Sequence, residues 1–218
     1  MYNYCQRVEF DLLIKNKTYS YDFLQEDIAM GLFDRFKKAR SDDSADNADN
    51  SAMIAEIFGT ICKGKESILA EIAECTSSPK KYAVKNAAQF SERFISTDET
   101  DTDTLMWIGC VDILINNAYA AELDFSCELE ELIFALSQLR SAAAEKISLD
   151  ENDLSSDEDI SVWLGELDEQ LKERDLCIGG IDIDSDSYVV FLTDIGTLGK
   201  LKDNADSIRH RIDFAKNL

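Results

Sequence analysis

The chain has 218 residues, 45% of them hydrophobic and 30% charged, a composition that excludes a disordered or fibrous protein and suits one main domain with an appended arm. Forty-four Asp and Glu oppose 22 Lys and Arg, for a formal net charge of -22 at pH 7. That balance tells against direct binding of nucleic acid or an anionic lipid surface, which both demand cationic contacts. It suits a basic protein partner or a bound cation; the plainer alternative is that the acidity only maintains solubility.

A single proline, Pro79, leaves most of the chain open to long helices. The six cysteines (Cys5, Cys62, Cys75, Cys110, Cys127 and Cys177) form no C-x-x-C pair, and most lie in apolar stretches. Met1 is followed by tyrosines and charges, without the basic and apolar regions of a signal peptide. The expected compartment is the reducing cytoplasm, with unpaired thiols. The longest apolar run, Leu105 to Ile115, is interrupted by Gly109 and Asp112. It falls short of the roughly 20 residues of a membrane span.

In chain order, residues 1–29 read as an upstream extension or a small strand arm, with Val8 to Ile14 turning through Asn16-Lys17 into Thr18–Tyr21. Met30 has the look of a start residue. Residues 30–40 place Leu32, Phe33 and Phe36 against Arg35, Lys37, Lys38 and Arg40, a short amphipathic helix suited to docking or weak anchoring. Residues 41–51 offer no apolar side chain larger than alanine before Met53, and read as a disordered acidic linker. One globular domain is expected over 52–218.

That domain opens with helices. Ile54, Ile57, Phe58, Ile61, Ile68 and Ile72 recur at helical spacing, with Gly59 and Gly64 positioned to split the run. Ser78-Pro79 signals a new helix carrying Val84, Ala87, Ala88, Phe94 and Ile95. After an acidic loop, 97–104, comes an almost wholly apolar helix with Leu105, Trp107, Ile108, Val111, Leu114 and Ile115, expected at the centre of the core. Leu129, Leu132, Ile133, Leu136 and Leu139 define the next, with Ser126 as its expected cap.

A second acidic loop, 148–155, precedes Ser156-Asp157-Glu158-Asp159, a capping pattern for a helix striped by Ile160, Trp163, Leu164, Leu167 and Leu171. The period then changes. Leu176 to Ile183 and Tyr188 to Thr193 read as two strands of an antiparallel hairpin. A last helix is expected through Leu198, Leu201, Ala205, Ile208, Ile212 and Ala215. The fold class is α+β: a predominantly helical body, a small antiparallel sheet near the C-terminus and a covering C-terminal helix.

Asp182-Ile183-Asp184-Ser185-Asp186-Ser187-Tyr188 is the best candidate for chemistry. Carboxylates of Asp182, Asp184 and Asp186 at alternate positions suit magnesium or calcium. The match to a calcium loop is poor, since Ser187 stands where glycine belongs and Thr193 where glutamate does. The simpler reading is a polar turn satisfying its own amides. Together with Trp163-Leu164-x-x-Leu167, Ala121-Glu122-Leu123-Asp124-Phe125 and the run from Val189 to Leu192, this stretch resembles an uncharacterised bacterial family of unknown function. The resemblance covers the C-terminal half and implies a bacterial origin, with no catalytic residue to carry over.

Other polar residues read as structural. His210, the sole histidine, falls opposite the apolar face of the last helix and is expected in solvent. Cys110 and Cys127 are candidate nucleophiles, with a core role favoured because Cys110 lies in a buried helix, and Trp107 and Trp163 are core anchors. Asp112 is expected on a narrow exposed stripe, the alternative being burial with a partner. Gly179-Gly180 suggests a strand bulge or a close approach. No G-x-G-x-x-G, P-loop or G-x-S-x-G occurs.

The leading expectation is therefore a non-enzymatic regulatory or immunity-like protein needing no cofactor. It presents loops 97–104 and 150–159 and the 182–186 turn to a basic protein, with Asp184, Asp186 and Tyr188 as contacts. The competing expectation is a magnesium- or calcium-dependent enzyme using Asp182, Asp184 and Asp186.

Overall fold

A computed structural model describes residues 47–149 and 154–218. The readings made for residues 1–46, the strand arm and the amphipathic segment included, lie outside the described residues, as does the acidic run 150–153. Helix α1 spans Asn47–Ile61, so helical structure begins inside the stretch expected to be linker. The chain breaks at Lys63 (φ 52°) and Gly64 (φ 67°), two consecutive left-handed residues, before α2 at Glu66–Ser77. Gly64 was one of the two expected break points and is suited to that conformation. Gly59 stays inside α1, where an added Cβ would lie 3.0 Å from Leu69.

Pro79 does open a helix, but a short one. Helix α3 is Pro79–Lys85 and α4 is Ala87–Glu92. They bury Tyr82, Ala83 and Phe90, while Val84 is 63% and Phe94 65% exposed. The expected apolar face is thus not the buried one: Val84 faces outward from α3 and Phe94 lies beyond the end of α4, while Ile95 alone of its large side chains packs against the core. Helix α5, Thr102–Asn116, is capped by Asp101, whose carboxylate accepts from the Thr104 amide. Its central stretch, Leu105 through Leu114, is buried throughout.

Ala121–Asp124 forms β1, a strand not foreseen. Helix α6, Leu129–Gln138, is capped by Glu128 in a reciprocal box with Glu131, in place of the expected Ser126. The short α7, Arg140–Glu145, follows. Helix α8, Ile160–Lys172, is capped by Asp159 and buries the whole expected stripe. Strands β2 (Leu176–Ile181) and β3 (Ser187–Asp194) form the expected antiparallel pair, and α9 covers Ile195–Ser207.

The expected final helix stops at that point. Arg209 takes a left-handed turn (φ 64°) and Ile212–Phe214 becomes β4, followed by a single 3-10 turn at Ala215–Asn217. Ile208, Ile212 and Ala215 are all buried, but only by coincidence do they keep helical spacing.

The sheet is antiparallel throughout, in the order β1-β3-β2-β4. Alternation along its strands separates two apolar clusters. Cys177, Ile181, Val189 and Phe191 join the cluster built by α1, α2, α5 and α9. Leu123, Ile178, Val190 and Leu192 join that of α6, α7 and α8. The protein is α+β, as expected, with the sheet as a central layer clad on both faces.

Gly179 and Gly180 lie in unbroken pairing with Phe191 and Val190, so no bulge is present. A Cβ on Gly179 would stand 2.4 Å from the Phe191 ring; one on Gly180 would stand 2.5 Å from Leu218 and 2.9 Å from the Ala215 backbone. The two glycines admit an aromatic ring on one face and the C-terminal turn on the other.

Candidate functional site

The left-handed turn at Arg209 carries His210 back toward α5. Its Nε2 lies 2.9 Å from Asp103 Oδ2, and its ring stacks on Trp107 at 3.9 Å with the planes 3° apart. The imidazole is only 10% exposed, which corrects the expectation of a solvent-facing histidine. The helical projection fails because residue 210 is no longer helical. Asp103 also accepts from Asn50 Nδ2 at 2.9 Å, and Trp107 Nε1 donates to the Asp182 carbonyl at 2.9 Å. Phe58 meets the other side of the assembly edge-on to Trp107, with centroids 5.0 Å apart.

This chain of contacts ties two acidic segments to one end of the sheet. The loop leading into α5 bears Asp98, Glu99 and Asp101, all exposed. The β2–β3 turn bears Asp184 and Asp186, also exposed, and Asp124 joins them because it pairs with Ser187. Tyr188, half-buried at the start of β3, packs against the second cluster. Of the third expected acidic segment, 150–159, the described part 154–159 belongs to the opposite face of the sheet, where the Ser155 carbonyl accepts from Trp163 Nε1 at 2.7 Å.

Within the turn, Asp182 Oδ1 accepts from the Asp184 amide at 2.8 Å and Ser185 Oγ accepts from the Ser187 amide at 3.1 Å. Asp184 itself is left-handed (φ 54°). Asp182 Oδ2 faces Arg211 Nη1 at 3.8 Å. These side chains serve the turn's own amides. Among the described residues no group of three or more His, Cys, Asp or Glu is disposed to hold a metal ion.

A second polar cluster lies where α5, β1 and the segment after α4 meet. Asp112 is buried there, which corrects its placement on an exposed stripe and realises the alternative of a paired aspartate. Arg93 donates to Asp112 Oδ1 from Nε (2.9 Å) and Nη2 (2.6 Å). It reaches Glu122 from Nη1 (3.0 Å) and Nη2 (2.6 Å). Burial opposes the Arg93 charge, but its bonds to Glu122 and Asp112 outweigh this and hold its pKa above the ordinary value. No periodicity signals this cluster; the one sequence clue is a lone aspartate inside an apolar helix.

The described cysteines are unpaired. Burial, helped by neighbouring Cys75, pushes the Cys110 thiol well above its usual value. Cys127 is raised to about 11, by burial and then by Glu131, and Cys177 to about 12, by burial and then by Asp168. None of these three carries the depressed pKa of an activated nucleophile.

Fold and site together define a two-sided α+β protein with an acidic end, in which buried polar networks serve chiefly to join elements. The chain belongs to the family described as Domain of unknown function (DUF6630), whose model matches residues 53–215. No curated protein and no solved structure matches it.

Proposed function

We propose that this protein is a non-enzymatic, regulatory or immunity-like binding protein of the cytoplasm. In this reading the acidic end of the sheet receives a basic protein, with Asp184, Asp186 and Tyr188 in contact. The observation that supports it is the convergence, through Asp103, His210, Trp107 and Asp182, of acidic segments some 80 residues apart in a chain of net charge -22. Like charges held together are unfavourable in isolation, and a basic partner relieves that repulsion.

The test is affinity capture from host lysate at low salt, with wild type beside an Asp184→Asn/Asp186→Asn variant. The expected result is a basic protein retained by wild type, released by salt and held weakly by the variant. Equal retention by the variant, or indifference to salt, overturns the reading. A melting temperature raised by millimolar magnesium or calcium, and not in Asp184→Asn, would instead support the metal-dependent enzyme built on Asp182, Asp184 and Asp186.

A further inference from the structure

The Arg93 cluster holds two carboxyl groups on one guanidinium. Glu122 uses both oxygens toward Arg93, whereas Asp112 presents only Oδ1. Asp112 Oδ2 is buried and has no hydrogen-bond partner. An ionised oxygen in that position forfeits its hydration without replacement, a heavier penalty than a neutral hydroxyl incurs. Arg93 supplies one positive charge and does not titrate in the accessible range. A single proton therefore makes the cluster neutral, and the orphan oxygen is where it belongs.

We infer that the folded protein keeps a proton on Asp112 Oδ2, and that the Arg93–Asp112–Glu122 cluster is a pH-sensitive latch joining the segment after α4, α5 and β1. The charged groups that face Asp112 are Arg93 from that segment, Glu92 from the end of α4 and Glu122 from β1. Burial raises the Asp112 pKa; Arg93 opposes this, and Glu122 and Glu92 add to it. As pH rises the proton passes to solvent, leaving two carboxylates to compete for one guanidinium. The β1 end of the latch then loosens.

The sign follows from the direction of the shift. A carboxyl whose folded pKa is raised favours the folded state below its unfolded pKa, about 3.9 for aspartate, and loses that contribution as pH rises through the folded value. The direct measurement is the Asp112 carboxyl carbon resonance of the full chain followed across pH. The expected midpoint lies above the ordinary aspartate value, and Glu122→Gln lowers it by removing the competing charge. A midpoint at or below the ordinary value overturns the proton. A midpoint unmoved in Glu122→Gln overturns the competition between the two carboxyls.

The latch has its own readout. Amide exchange of residues 122–124, corrected for its intrinsic pH dependence, should increase across the Asp112 midpoint in wild type. It should stay flat in Asp112→Asn, whose neutral amide mimics the protonated acid. Equal exchange profiles in the two proteins overturn the latch. If Asp112→Asn fails to fold, exchange in wild type alone decides, since a profile flat through the carbon-resonance midpoint has the same meaning.

Discussion

Two aspartates buried in helix middles, one on each side of the sheet, solve the same problem differently. On α8, Asp168 Oδ1 accepts from the Ile178 amide of β2 at 2.8 Å. Lys216 Nζ stands 3.0 Å from Oδ2 as an ion pair, without the angle of a hydrogen bond. One carboxylate thus meets one cation and one amide. On α5, Asp112 shares its single cation with Glu122, and one of its oxygens has no partner. The comparison shows two ways to bury a carboxylate: with a cation and an amide of its own, or sharing one cation with a second carboxylate.

The largest expected effect tests the balanced side. Asp168→Ala strips the acceptor from the Ile178 amide and leaves Lys216 without its anion, which should destabilise the protein by about 4 kcal/mol in denaturant unfolding. Asp168→Asn should cost less, because the amide oxygen still accepts from Ile178. If Ala and Asn behave alike, the strand amide is not what Asp168 serves.

Next comes the packing that separates the two faces. Gly179→Ala drives a methyl into the Phe191 ring and should cost about 2 kcal/mol. The same unfolding measurement reads it, and an unchanged stability would mean that the ring has room to turn. A smaller effect, about 1 kcal/mol, is expected for Asp194→Ala, which removes the α9 cap that accepts from the Thr197 amide at 2.8 Å. Asp112→Asn should sit near zero at a pH below the Asp112 midpoint, in contrast to Asp168→Ala. A loss comparable to that of Asp168→Ala would erase the distinction between the two aspartates.

A pH series sharpens it further. Asp194 is held below the ordinary carboxylate range chiefly by its hydrogen bonds with Thr197. Asp213 is held low because its bond from Lys202 and the Phe214 amide together outweigh burial. Folded pKa values below the unfolded one give stability that is present above about pH 4 and lost as pH falls through the folded values. Asp112 acts in the opposite sense, so thermal melting should show an acid limb from the first pair and a separate decline as pH rises from about 3.9 to the Asp112 midpoint, level beyond it. Asp112→Asn removes only the second.

Much of this architecture is readable from local pattern. The apolar run from Leu105 to Leu114 announces a central helix, because no face of it can meet water. The stripe Ile160–Leu171 and the β-branched run at Val189–Leu192 declare their periods just as clearly. The family resemblance carried by Trp163 and the Asp182–Tyr188 stretch also stands, and it leads to a family whose function is unknown. The short elements were harder. Four residues of β1 are too few for alternation to register, and Ser126 and Ser156 lost their expected capping roles to Glu128 and Asp159.

Composition, charge and periodicity thus determined by themselves that this chain folds as α+β, where helices α5 and α8 run and which hairpin it makes. Those properties depend on neighbours within a few positions. Only the tertiary structure decided that the sheet is clad on both faces, that His210 is stacked on Trp107 and turned inward, and that Asp112 lies within a cluster of opposite and like charges. Each of these depends on residues brought together from tens of positions apart. Arg93 meets Glu122 and His210 meets Asp103 because α5 and the sheet pack, and no local spacing encodes that meeting.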